Sequence, residues 1–77
     1  MTTHYSIHLL RHYRHKIGDN IHRIRARRGM ALQKVAQAVE VSAELLDDFE
    51  LGKNEIPFDL ILKIACVFGV EVEALLQ

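Results

Sequence analysis

Residues 31–52, Ala31 to Gly52, read ALQKVAQAVEVSAELLDDFELG. Leu32, Val35, Ala36 and Val39 recur at i, i+3, i+4 and i+7, the apolar stripe of a short amphipathic helix. The stripe resumes at Leu45, Leu46 and Phe49, and Gly52 stands behind it as a stop signal. Ser42 closes the three-residue break Glu40-Val41-Ser42 and is a strong N-cap for a second helix from Ala43. A small residue, Ala36, is placed where two such helices cross. The stretch therefore reads as a helix-turn-helix over about 31–51.

Outward from this unit the chain stays helical. Ile17, Ile21 and Ile24 predict a helix over 17–29, with Arg23, Arg27 and Arg28 off its stripe and Gly29 as its stop. Arg27 and Arg28 suit the negative end of that helix, and they equally suit a nucleic-acid backbone. After the polar loop Lys53-Asn54-Glu55, Pro57 fits the first turn of another helix. Phe58, Ile61, Leu62, Ile64, Ala65 and Phe68 give that helix a wide face expected to be buried, with Cys66 as a thiol in or near the core. Val70, Val72, Leu75 and Leu76 predict a short last helix that lids the core or meets a second copy. No long alternation of polar and β-branched residues is present, so the fold class is all-α.

Residues 1–16, MTTHYSIHLLRHYRHK, stand apart as a basic, His-rich arm or extra helix ahead of a domain at 17–77. Thr2 or Thr3 is placed to cap it, with Tyr5, Leu9, Tyr13 and Lys16 on one side. His4, His8 and His12 recur one helical turn apart, a spacing that can chelate a divalent metal. No Cys or acidic residue joins them, and a basic arm or partner helix is the simpler reading.

The 77 residues suit one domain, and their 49% apolar share excludes wholesale disorder. No apolar run approaches the roughly 18–20 residues needed to span a bilayer. One cysteine forms no internal disulfide, which fits the cytosol. The formal net charge is zero, yet residues 1–34 carry eight Lys/Arg against Asp19 alone, a net of +7. Residues 35–77 carry Lys53 and Lys63 against nine Asp/Glu, a net of −7. So large a split predicts one surface that attracts phosphate and another that repels it, or two halves that neutralise each other within the fold. Beyond the His ladder no catalytic set is visible, so the chain reads as non-enzymatic, without a cofactor.

From Ile17 to Leu76 the sequence resembles the lambda-repressor/Cro-like, or XRE, helix-turn-helix domains. The resemblance rests on Ile17-Gly18, Ile21-x-x-Ile24-Arg25, Val35-Ala36, Val41-Ser42, Glu50-x-Gly52-Lys53 and Phe68-Gly69-Val70. It implies a five-helix lambda-repressor-like DNA-binding domain that acts on double-stranded DNA, commonly as a homodimer. It implies an ion pair between Arg25 and Glu50. It also implies base-facing positions at Ala43, Glu44, Asp47 and Asp48, with backbone contacts from Gln33, Lys34, Ser42, Lys53 and Asn54. Arg23, Arg27 and Arg28 add backbone electrostatics.

The departures from that pattern are chemical. The usual Ser/Thr cap and following Gln of helix two are Ala31 and Leu32, and the usual turn glycine is Glu40. The reading positions carry acids where the family often places Gln, Ser, Arg or Lys. Carboxylates accept from cytosine N4, but several beside phosphates repel. Leu45 and Leu51 are expected to face solvent next to them, as on a protein-binding surface. Two functions follow: a DNA-binding regulator of repressor or antitoxin type, or an antirepressor or adaptor of the same fold that meets a protein through its acidic third helix.

Overall fold

The computed structural model describes residues 7–77, with side chains from Arg11 onward. Five helices follow in order: α1 (Ile7–Arg27), α2 (Leu32–Ala38), α3 (Ala43–Glu50), α4 (Phe58–Phe68) and α5 (Glu73–Leu76). No strand occurs among the described residues. The boundaries of α2 and α3 fall within a residue of those the apolar stripes predict. The first helix differs: instead of starting at Ile17, α1 runs unbroken from Ile7 through the basic segment. Nothing between Arg11 and Lys16 is a helix breaker, so the helix runs through the basic segment into the turn that carries Ile17. Thr2, Thr3, His4 and Tyr5 lie outside the described residues, as do the side chains of His8 and Leu9.

The core is one cluster drawn from every helix. Ile21 comes from α1, Val35 and Ala36 from α2, Leu46 and Phe49 from α3, Leu60, Ile61, Ile64, Ala65 and Phe68 from α4, and Leu75 from α5. Buried Val39 adds the residue that follows α2. Burying a side chain of this size stabilises by about 1.5–3 kcal/mol, so the dozen core residues are what offsets chain entropy in so short a protein. α1 packs on α3, α4 and α5, while α2 and α3 pack on each other.

Helices α1 to α4 close alike. After α2, for example, the Glu40 amide donates to the Gln37 carbonyl and the Val41 amide to the Ala36 carbonyl. This double return bond satisfies carbonyls the helix end would strand, and it needs one left-handed residue. Gly29, Gly52 and Gly69 fill that place after α1, α3 and α4, but after α2 it is Glu40, at φ 64°.

Several sequence expectations on α4 are corrected. Phe58 and Leu62 are 58% and 45% exposed, and Cys66 is exposed too, not a core thiol. The reason is angular. Residues 58, 62 and 66 form an i, i+4, i+8 ridge, and only the arc carrying Leu60, Ile61, Ile64, Ala65 and Phe68 meets the core. Pro57 sits one residue ahead of α4 as its N-cap instead of in its first turn. Leu45 is half-buried against the core and not a solvent-facing residue, whereas Leu51 is 51% exposed. No helix among the described residues is long and apolar enough to cross a membrane.

Candidate nucleic-acid interface

α3 is held outward by a small number of specific contacts. Its N-terminus is fixed by Ser42, whose Oγ accepts from the Leu45 amide at 3.0 Å. Its inner edge buries Leu46, Phe49 and Glu50. What remains outside is Glu44, Asp47 and Leu51, flanked by half-buried Ala43 and Asp48.

The C-terminal end of α3 is tied to α1 by charge. Arg25 Nε donates to Glu50 Oε2 at 2.6 Å and Nη2 to Oε1 at 3.0 Å, a two-pronged pair. Arg25 Nη1 also donates to the Met30 carbonyl at 2.9 Å, reaching the α1–α2 connection. His22 Nδ1 lies 2.9 Å from Glu50 Oε1 and completes the set. Burial pushes the Glu50 carboxyl up, but the hydrogen bonds from Arg25 and His22 outweigh it and hold it below the ordinary carboxylate range. The same hydrogen bond raises Arg25 above its usual value, against the effect of its own burial. Between these helices lies a cleft of about 230 Å³ lined by Asp19, His22, Arg25, Asp47, Glu50 and Leu51.

Three supporting roles were not read from the sequence. A Cβ on Gly18 would run into the carbonyl oxygens of Phe49 and Glu50, so α1 crosses the end of α3 at backbone contact. Buried Asn20 donates from Nδ2 to the Leu75 carbonyl at 2.9 Å and accepts from Arg23 Nη2 at 2.6 Å, fastening α5 to α1. Asn20 falls on the Ile17–Ile21–Ile24 stripe, and a lone amide on an apolar stripe is a legible signal. Arg28 Nη1 donates to the Phe68 carbonyl. Its guanidinium therefore joins the ends of α1 and α4, a use that neither the dipole reading nor the backbone reading of Arg28 anticipates.

The remaining sequence-selected residues fall in three places. Gln33 and Lys34 are exposed in the first turn of α2, whose Ala31 cap makes no side-chain hydrogen bond. Glu44 and Asp47 are exposed on α3, and Lys53 and half-buried Asn54 follow it in the loop. Exposed Arg23 and Arg27 stand on α1, Arg23 holding Asn20. His12 is exposed, and among the described residues no three His, Cys, Asp or Glu come together as a metal site.

Two helices on a short turn, the second capped by serine and presented outward, are matched over residues 21–75 by the helix-turn-helix family HTH_3. The chain belongs to that family. Among curated relatives, this HTH_3 chain is 27% identical over 62 residues to the HTH-type transcriptional regulator DdrOP3 of Deinococcus deserti. That match takes in 80% of this chain but only 48% of DdrOP3, so the chain spans about half the relative's length. The solved structure of the clp gene regulator ClgR from C. glutamicum is similar at 28% identity and a TM-score of 0.79, covering 83% of each chain. The restriction-modification controller protein C.AhdI from Aeromonas hydrophila shares the fold, with a TM-score of 0.79 over 84% of this chain and 94% of its own, at 20% identity.

Proposed function

We propose that the chain is a small DNA-binding transcriptional regulator, working in the cytosol as a homodimer that presents α3 to duplex DNA. The observation that carries this reading is the outward edge of α3: Ser42 caps it, Arg25 and Glu50 brace it, and Glu44, Asp47 and Leu51 are left free. Membership of the helix-turn-helix family and likeness to transcriptional regulators support it. In this arrangement Ala43, Glu44, Asp47 and Asp48 meet base edges, with acids accepting from cytosine. Gln33, Lys34, Lys53 and Asn54 meet phosphates on either side, and Arg23 and Arg27 add longer-range attraction. A dimer sets two such helices about one helical turn apart along the duplex.

A titration of binding to mixed-sequence DNA against salt tests the reading. A regulator that neutralises several phosphates loses affinity along a straight log–log line, with a slope of about −0.9 per phosphate. Absence of binding at low salt sinks it.

One observation favours a second reading. α3 (AELLDDFE) carries no basic residue, and its exposed acids adjoin exposed Leu51. Such a face suits a basic, partly apolar protein surface, making the chain an antirepressor or adaptor. That reading predicts no salt-dependent DNA binding and retention of α3 mutational effects in a protein-binding assay.

A further inference from the structure

The α3 site leaves unused a polar stripe of α1. Because α1 runs unbroken through the basic segment, His12, His15, Asp19 and His22 recur at i, i+3, i+7 and i+10 and share one face of it. All four are exposed, and exposed Arg11 and Lys16 flank them. None of Arg11, His12, His15 and Lys16 forms an ion pair among the described residues. Two contacts set this face beside the outward edge of α3. Asp19 and His22 line the same cleft as Asp47 and Leu51. Two turns upstream, the His15 ring lies against Gly52, where a Cβ would collide with it, and Gly52 immediately precedes Lys53.

We infer that this stripe of α1, from Arg11 to His22, is a second contact to duplex DNA, meeting the phosphate backbone beside the groove entered by α3 and tightening as its imidazoles are protonated. The inference rests on the DNA reading above and adds to it a surface outside the helix-turn-helix. From Arg11 to His22 the helix rises about 16 Å. That length passes several phosphates of one strand, which rise about 3.4 Å apart along the duplex axis.

Histidine sets the charge of the stripe. An imidazole ordinarily gains a proton as pH falls below about 6.5 and becomes a cation with two donors. His22 faces Glu50 at 2.9 Å and Arg25 Nη2 at 3.5 Å, so the new charge offered to phosphate falls to His12 and His15. His12 stands edge-on to Tyr13, with ring centroids 5.9 Å apart. Asp19 on α1, with Asp47 and Glu50 across the cleft on α3, opposes a phosphate there. Arg11, Lys16 and, beyond Gly52, Lys53 favour it.

Fluorescence anisotropy of the full chain on a mixed-sequence duplex, titrated with salt at about pH 8 and about pH 5.5, tests this. Affinity at low salt is expected to rise at least about tenfold at the lower pH, with the log–log slope steeper by about two. In His12→Gln with His15→Gln most of that gain in slope is lost. Arg11→Gln with Lys16→Gln makes the slope shallower by about two at both pH values, which keeps the test independent of the histidine variant. Lys63→Gln, which removes a charge from α4, leaves the slope unchanged. Helical circular dichroism of every variant is expected to match wild type, since all these side chains are exposed. A pH gain that survives the histidine exchanges, or a slope untouched by loss of Arg11 and Lys16, overturns the inference. If Lys53→Gln still weakens binding in that case, the DNA reading stands without it. Slope losses from the α1 variants but none from Lys53→Gln keep the stripe and remove α3 as the docking helix. Absence of binding at low salt at both pH values overturns both.

Discussion

Glu50 combines a side chain only 4% exposed with a full negative charge at the carbonyl-rich end of α3. Neither is tolerable alone, since burial and the helix dipole both oppose the carboxylate. Arg25 reverses the balance with two short hydrogen bonds. Arg25→Ala leaves that charge buried with only His22 for company, and is expected to destabilise by more than about 2 kcal/mol in denaturant unfolding. The pH dependence has a definite sign. Because the folded-state pKa of Glu50 is lowered, its contribution is complete above the unfolded carboxylate value near 4.3 and fades as pH falls through the folded value. The stability gap between wild type and Arg25→Ala is therefore expected to hold above about pH 4.3 and to shrink as pH falls below it. A gap that stays constant in melts below that pH counts against the pair as the source. Gly18 acts through space instead of charge. Gly18→Ala forces a methyl into the Phe49 and Glu50 carbonyls, at an expected cost of about 2–3 kcal/mol despite alanine's better helix propensity.

At the scale of elements, the α2–α3 turn depends on a residue poorly suited to its backbone. Glu40 occupies the left-handed position that three glycines occupy after the other closing helices. Its Cβ makes that conformation unfavourable by about 1 kcal/mol relative to glycine, part of which glycine returns as unfolded-chain entropy. Glu40→Gly is thus expected to stabilise the domain by about 0.5–1 kcal/mol, seen as a higher denaturant midpoint at unchanged m. An unchanged or lower midpoint would show that the Glu40–Lys63 approach matters more than the backbone. The turn also shows where sequence reading works. Stripe periodicity, Ser42 and the stop residues located α2 and α3 because those signals are local. α4 was legible as a helix but not in its orientation, since a ridge of Phe58, Leu62 and Cys66 looks like core until the neighbouring helices are known to contact the other arc. The bidentate Arg25–Glu50 pair links residues 25 apart and entered only through family resemblance. An extra helix before Ile17 was among the sequence readings, but its continuity with the next helix was not, because Gly18 and the histidines weaken the stripe across the join while tertiary packing on α3 holds the helix together.

For the molecule as a whole, the proposed DNA binding requires a chain of zero net charge to meet a polyanion through its acidic half. The two halves differ by fourteen charges, and the acids at Glu44 and Asp47 stand on the outward edge of α3, with Lys34 exposed in the first turn of α2 and Lys53 exposed in the loop after α3. Opposing effects of this kind separate in a salt titration, because affinity and slope report different things. The slope counts phosphates neutralised by cations; repulsion from fixed acids lowers affinity at every salt concentration without altering that count. Two unit charges about 6 Å apart at an effective dielectric near 40 repel by roughly 1.4 kcal/mol, and screening reduces this. Glu44→Gln with Asp47→Gln is therefore expected to raise non-specific DNA affinity about tenfold at low salt, a gain that shrinks as screening grows. Lys53→Gln is expected to do the converse, weakening binding to all sequences and making the slope shallower by about one. Fluorescence anisotropy with a mixed-sequence duplex measures both quantities in one experiment. If the double glutamine variant leaves low-salt affinity unchanged, the acids are not what limits docking of α3. If it weakens binding to cytosine-rich sites while strengthening it elsewhere, Glu44 and Asp47 are reading bases, and the acidic helix is a source of specificity instead of an obstacle.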